Sequence, residues 1–475
     1  MKFMDTSKQQ ESARQGELFD LSAERLPALE TGSTPRSGVA EVFELSVARN
    51  GNRTATEHLM ERVASRANLF RACRKVKANK GSAGVDRQTV HELSSWLETN
   101  WQDLREELLN GHYEPMPVRG VEIPKPGGGL RQLGIPTVKD RLVQQAILQI
   151  LDPLLDPTFS ESSYGFRPGR SAHDALKAGS AFVEGGRLMV VDLDLEKFFD
   201  RVNHDILMSR LARHVEDKRL LKLVRRFLQA GMMSHGICVQ SDEGTPQGGP
   251  LSPLLANLLL DDFDKELERR GHRFCRYADD CNIYVHSLKA GERVLESVTR
   301  FLEKRLKLKV NRHKSAVAFV QERKFLGYRL LSGGKLGIAP QSVARIKEKV
   351  RAITQRNRGR SLEQIVNELN RLIRGWVHYF RYAQAKQTMQ RLDEWLRRKL
   401  RCYRLKQCKR AVGIARFLME QGIKPDQAWA LGGSGKGWWR MSLSPQAHRA
   451  MGKKWFKEIR HAGFAEQYMR LELFT

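Results

Sequence analysis

Two adjacent carboxylates, Asp279 and Asp280, interrupt an apolar, alternating stretch that runs from Arg273 to Val285. The flanks have the period of two short strands, so the acidic pair falls at the turn of a hairpin. Like charges side by side are costly unless something cationic neutralises them, and hard carboxylate oxygens suit Mg²⁺. An acidic pair on an ordinary surface turn has the same spelling, so a second cluster has to decide. Leu188 to Leu195 reads Leu-Met-Val-Val-Asp-Leu-Asp-Leu, a buried strand ending in acids, and Glu196 onward has the look of a helix start. Asp194 then stands at the end of a core strand, where its side chain reaches an exposed site, while Asp192 reads as a cap or a solvated acid. Set beside Asp279, Asp194 completes a centre for two ions about 3.5–4 Å apart, the arrangement that clamps both oxygens of an in-line phosphoryl displacement. Mg²⁺ needs only one or two carboxylates plus substrate phosphates, so two or three Asp suffice once a nucleoside triphosphate is bound.

The elements that must position these acids follow from the apolar pattern. Residues 1–55 are polar, without a sustained period, and read as a disordered tail. From His58 to Lys80, Leu59, Val63, Ala67, Phe70 and Val76 share one face of a basic amphipathic helix. A turn-rich break at 79–86 leads to a second helical pair carrying Trp96, Leu97, Trp101, Leu104, Leu108 and Leu109. Gln247-Gly248-Gly249-Pro250 opens a helix whose apolar positions include Leu251, Leu254, Leu255, Leu258 and Leu259. Ser332 to Pro340 is a boundary turn, and Gln341 to Arg410 is mostly helical.

Charge and cysteine usage bound the class. The chain has 475 residues, a formal charge of +28 and a pI near 10.1, which points to a polyanionic partner. Between Arg345 and Arg410, 20 Lys and Arg face only 5 Asp and Glu, more than half of the whole surplus. Trp376, Tyr379, Phe380, Tyr382, Trp395 and Tyr403 are interleaved there. From about 420 onward, Trp429, Trp438, Trp439, Trp455, Lys453 and Lys454 suit nucleic-acid contact and equally a small aromatic core. Six cysteines without any Cys-x-x-Cys argue against a disulfide framework or zinc site and fit a reducing cytoplasm. No apolar run approaches the roughly 20 residues that cross a bilayer, so no membrane partner is expected.

Three stretches carry a resemblance: Val190 to Asp200, Gly244 to Pro253 and Tyr277-Ala278-Asp279-Asp280, in that order and at that spacing. Gly134 to Thr137, Ser163 to Ser171 and Lys324 to Tyr328 add to it. Together they resemble the group II intron reverse transcriptase/maturase family from about Thr56 to the C-terminus. The resemblance implies an α+β, right-hand polymerase. After a helical N-terminal extension (56–103) it expects fingers and a ferredoxin-like palm (104–335), a helical thumb or maturase-specific domain (340–415) and a small DNA-binding region (420–475).

It also implies roles, residue by residue. Asp194, Asp279 and Asp280 match the metal-binding catalytic aspartates, with the backbone carbonyl of Leu195 as a further ligand, for two Mg²⁺ ions with Mn²⁺ as a substitute. Phe199 matches the position under the incoming sugar, where a bulky ring excludes a 2′-hydroxyl, and reads otherwise as a core aromatic. Lys125 and Arg131 match basic residues that hold the triphosphate, or are solvated loop charges. Gln247 and Lys314 match positions near the nucleotide, Lys314 as a general acid for pyrophosphate. The implied partners are a group II intron RNA, an RNA template with a DNA primer, target DNA and deoxynucleoside triphosphates. The paired-cysteine endonuclease segment of many members is not seen before the sequence ends, which implies priming from an existing DNA end. Two other readings stay open: a domesticated reverse transcriptase in defence or repair, and a non-catalytic RNA-binding splicing factor.

Overall fold

The computed structural model describes residues 56–124, 128–234, 237–239, 243–245 and 248–472. The expected tail at 1–55, Lys125 and Gln247 lie outside the described residues. The chain mixes helices with small sheets and divides into two compact units between Phe319 and Val320.

The first unit begins with helices. Leu59–Val63 and Arg66–Ala78 are separate, where the sequence pattern reads as one helix. The break is Ser65, which takes an extended conformation (ψ 141°) and caps the second helix by accepting the Asn68 N–H. The opposite happens at 93–109. The residues read as a helical pair form one helix, Leu93–Leu109, burying Leu97, Leu104 and Leu108. Both helices of the first pair pack on Val138–Leu155, whose N-cap is Thr137.

Among the described residues, ten strands follow one another: β1 (Val118–Pro124), β2 (Leu130–Ile135), β3 (Met189–Leu193), β4 (Met232–Ser234), β5 (Ile237–Val239), β6 (Arg273–Tyr277), β7 (Asp280–Val285), β8 (Ala316–Phe319), β9 (Tyr328–Leu330) and β10 (Leu336–Ile338). One sheet has the order β2-β1-β4-β5, with β1 and β2 an antiparallel hairpin. The sheet that matters for the acids has the order β6-β7-β3-β8, antiparallel throughout. Val190 and Val191 of β3 are fully buried, and so are Phe274 of β6 and Ile283 of β7. Helix Ser252–Arg269 buries Leu254, Leu255, Leu258 and Leu259, and helix Leu288–Arg305 packs on β3, β7 and β8.

The second unit opens with the antiparallel pair β9 and β10 and continues as helices, of which Pro340–Ile353, Leu362–Tyr379 and Lys386–Gln407 are the longest. Its C-terminal segment is tied down by buried polar groups. Asp393 accepts the N–H groups of Phe464 (2.6 Å) and Ala465 (3.0 Å), and Asn370 bridges Arg460 O and Ala462 N. Of the tryptophans beyond 420, Trp455 is buried, whereas Trp429 and Trp439 are exposed.

Asp140, on the first turn of helix Val138–Leu155, is buried and accepts from Thr137 Oγ1 (2.6 Å), Tyr113 OH (2.9 Å) and the Met116 N–H (3.3 Å). Burial pushes its carboxyl up from 3.8 to about 6, and these hydrogen bonds pull it only partly back. A folded value above the unfolded one means that protonated Asp140 favours the fold. That stability is fully present below about pH 4 and is lost as pH rises through about 6, a change on the order of 3 kcal/mol. The melting temperature of wild type minus that of Asp140→Asn therefore falls between pH 4 and pH 7. A flat difference would show that Asp140 is not the titrating group.

Candidate active site

The β6–β7 hairpin closes with Tyr277 opposite Asp280, leaving Ala278 and Asp279 at its tip. Ala278 takes a left-handed φ of +57°, which a two-residue hairpin turn needs and an Ala adopts at a cost. On the other side of β7 runs β3, with Leu193 opposite Cys281. One step further along that register, Asp194 faces the acidic end of the hairpin. The proximity shows in Asp279. Its carboxyl is pushed up first by burial and then by the charge of Asp194, while Arg131 and Arg276 pull it down. Asp280 is the first residue of β7 and is exposed.

Asp194 is clamped by a segment that precedes β8. Its N–H donates to Ser315 Oγ (3.0 Å), and its carbonyl accepts the Asn311 N–H (2.9 Å). Asn311 Nδ2 donates to Asp194 Oδ2 (3.1 Å), and Lys314 Nζ lies 3.4 Å from the same oxygen. Leu195 is buried and bridges to Val310, and Glu196 N–H donates to Lys309 O (2.8 Å). Asn311 and Ser315 are residues that sequence reasoning missed. The signal lay in the same run as Lys314, but neither side chain has a chemistry that marks it out.

A second network holds the hairpin tip. Arg276 in β6 is fully buried, and so is its partner Asp264. Arg276 Nε donates to Asp264 (2.7 Å) and Nη2 to Asp264 Oδ2 (2.5 Å) and Ser163 Oγ (2.7 Å). Nη1 donates to Asn257 Oδ1 and to the carbonyl of Ala278, each at 2.9 Å. Asn257 in turn donates to Gly165 O (2.8 Å). Gly165 has no alternative there, since a Cβ would come within 2.3 Å of Ala278 N.

Phe199 lies on a short 3₁₀ turn, Phe198–Arg201, rather than on the helix start read from the sequence. Lys197 ahead of it is left-handed (φ +50°), which stops an α-helix from forming. Phe199 is half-buried, with its ring edge-to-face on buried Phe198 (5.1 Å) and its carbonyl accepting the Thr245 N–H (2.6 Å). Gly244 is seated by His204, whose Nε2 is 2.6 Å from its carbonyl. Gly248, at φ +137°, runs against Gly134 O, where a Cβ would approach to 2.5 Å. Arg131 is exposed on β2, close enough to act on Asp279.

The donor set suits a hard divalent cation. Two carboxylates are drawn together, and both burial and mutual repulsion oppose ionisation of Asp279. A cation between them would relieve both. Among the described residues, no three His, Cys, Asp or Glu side chains gather into a closed ligand cluster.

The chain matches the family model for "Reverse transcriptase (RNA-dependent DNA polymerase)" over residues 123–330 and that for "Group II intron, maturase-specific domain" over 343–419. Protein YkfC of Escherichia coli K12 is 36% identical over 304 residues, covering 55% of this chain and 80% of that protein. The group II intron-encoded protein LtrA of Lactococcus lactis subsp. cremoris is 37% identical over 191 residues, covering 40% of this chain and 31% of LtrA. Among solved structures, a chain of a partial Cas6-RT-Cas1–Cas2 complex aligns over 52% of this chain and 42% of its own length, at 26% identity and a TM-score of 0.34.

Replacing Asp264 with Ala leaves the Arg276 charge buried and alone. Chemical denaturation of Asp264→Ala should show a loss of about 3–5 kcal/mol. Glu296→Ala, which breaks the exposed 2.8 Å pair with Arg300, should change stability by less than about 1 kcal/mol. Similar losses in both variants would remove the Arg276 network as a structural anchor.

Proposed function

Because this chain belongs to the group II intron reverse transcriptase/maturase family and is an RNA-directed DNA polymerase, we propose that it extends a DNA primer along an intron RNA at the Asp194–Asp279 pair. The convergence of these two carboxylates, from β3 and from the β6–β7 tip, is the observation that carries the reading. Asp194 and Asp279, with Asp280 and the Leu195 carbonyl, would hold two Mg²⁺ ions, or Mn²⁺ in their place. When bound, such ions supply Lewis-acid activation of the primer 3′-hydroxyl and neutralise charge on the leaving pyrophosphate.

The chain's own residues do the rest by positioning. Arg131, and Lys125 six residues before it in sequence, hold the triphosphate as bidentate fork and point charge. Lys314, which lies 3.4 Å from Asp194 and is largely exposed, would be the residue that gives a proton to the leaving pyrophosphate. Phe199 closes the space for a 2′-hydroxyl, and Gln247 takes part in nucleotide binding. On this reading the β6-β7-β3-β8 sheet is the palm, the β1–β2 hairpin belongs to the fingers, and 340–415 is a thumb that also grips the intron RNA during splicing. Residues 420–475 contact target DNA. None of the described helices is long and apolar enough to cross a membrane, and we place the activity in the cytoplasm.

Primer extension on an RNA template tests the site. Asp279→Ala should lose activity by about 10³-fold or more while binding primer–template as wild type does. Persistent synthesis would overturn the assignment, and absent synthesis in wild type alongside assisted splicing would favour a scaffold role. Phe199→Val should raise ribonucleotide incorporation relative to deoxynucleotide by about 10- to 200-fold. An unchanged ratio would remove Phe199 as the gate.

A further inference from the structure

Phe166 is a bulky residue held in the left-handed region, with φ +60°. Non-glycine residues seldom accept that conformation, and large side chains accept it at a real cost. Both flanks impose it. On one side, Tyr164 N–H donates to Arg276 O (2.9 Å), Arg276 N–H donates to Ser162 O (2.9 Å), and Gly165 lies against Ala278. On the other, buried Arg167 donates from Nε to Asp156 Oδ1 (2.7 Å) and from Nη1 to Ser160 O (2.6 Å) and Ser163 O (3.1 Å). Between these anchors the ring of Phe166 is turned outward and is 45% exposed. Its centroid is 6.5 Å from the Tyr277 ring, the planes inclined at 41°.

The fold gains little from this ring, nearly half of which stays exposed. Glycine would take the same φ freely, and an exposed ring contributes little apolar burial. Strain that surrounding structure over-determines, and that presents an exposed ring, points to a ligand. The location narrows the ligand. Tyr277 is two residues before Asp279, so the aromatic step borders the carboxylates at which a chain end must lie. Every nucleobase offers a π-face to such a step, whatever its sequence.

We propose that Phe166 and Tyr277 form a stacking step for a terminal nucleobase of the primer–template duplex. This rests on the polymerase reading above. The test uses the full chain with a fluorescently labelled DNA primer on an RNA template, measuring equilibrium binding and single-nucleotide extension. Phe166→Ala and Phe166→Leu should weaken duplex binding about 5- to 100-fold, with KM for the deoxynucleotide unchanged. Phe166→Trp or Phe166→Tyr should restore it. Phe166→Gly should melt at the same or a higher temperature than wild type yet bind as weakly as Phe166→Ala, which separates a binding role from a structural one. An abasic nucleotide at the primer 3′ end, or at the templating position, should weaken wild type and add little to Phe166→Ala; the position that does so identifies the stacked base. Equal binding by wild type and Phe166→Ala, or equal abasic penalties in both, would overturn the proposal. Failure of the polymerase reading looks different: wild type would not extend the primer, or Asp279→Ala would still do so.

Discussion

The arrangement of the site depends on a single saturated guanidinium. A guanidinium has five N–H donors and no acceptor, and a buried one must engage them all. Arg276 does so with Asp264, Asn257, Ser163 and the carbonyl of Ala278. One residue thereby joins β6, the helix Ser252–Arg269, the 162–165 segment and the tip of the acidic hairpin. Such a pair is weak evidence for net stability, because desolvation of both charges offsets their attraction. Its effect is on geometry. The network closes only when the Ala278 carbonyl turns inward, and that turn of the backbone sets where Asp279 stands.

The second constraint is repulsion. Asp194 follows β3 and Asp279 precedes the neighbouring β7, and the charge of Asp194 opposes the ionisation of Asp279. A structure left to itself would part them. It is prevented on the Asp279 side by the Arg276 network and on the Asp194 side by Asn311 and Ser315, which hold both its backbone and one carboxylate oxygen. The repulsion is thus built in and held by rigid elements. Preorganised charge of this kind has its effect when a cationic centre arrives, since no reorganisation is then required. The Lys314 ammonium is the nearest local counter-charge, but it sits on an exposed, flexible stem that can yield to stronger cations.

Much of this is legible in the sequence, and the remainder is hidden for identifiable reasons. The hairpin and its tip follow from alternation around Tyr277 to Asp280, and β3 follows from its continuous apolar run, because both signals are local. Arg276 reads as one more charge in a strand, since nothing near it announces that its partner lies twelve residues upstream on a helix. Asn257 did leave a trace, as a polar residue amid the buried leucines of Ser252–Arg269. The helix break at Ser65 and the left-handed Lys197 were missed because one capping side chain, or one backbone well, outweighs a periodic pattern. The tryptophans beyond 420 could not be sorted by type alone. Trp455 is buried and Trp439 is not, and that difference is decided by tertiary packing rather than by local sequence.

The same logic extends to the basic second unit. Lys347, Arg351 and Lys399 all lie within 6 Å of the Trp395 ring, and Arg398 sits 3.7 Å from the centroid of Trp439. Aromatic faces attract cations, but each such contact contributes only about 0.5–1 kcal/mol at exposed sites. Against that, crowding has a measurable effect: burial, together with Arg351 and Arg356 nearby, pulls the Lys399 ammonium below its usual value. The rings therefore order the cations without neutralising them. A surface that crowds like charges in this way is under electrostatic load that a row of phosphates would discharge, as counterions leave both partners. In both units, then, the fold holds charges of one sign close together: carboxylates where β3 meets the hairpin tip, and cations along the helices of the second unit.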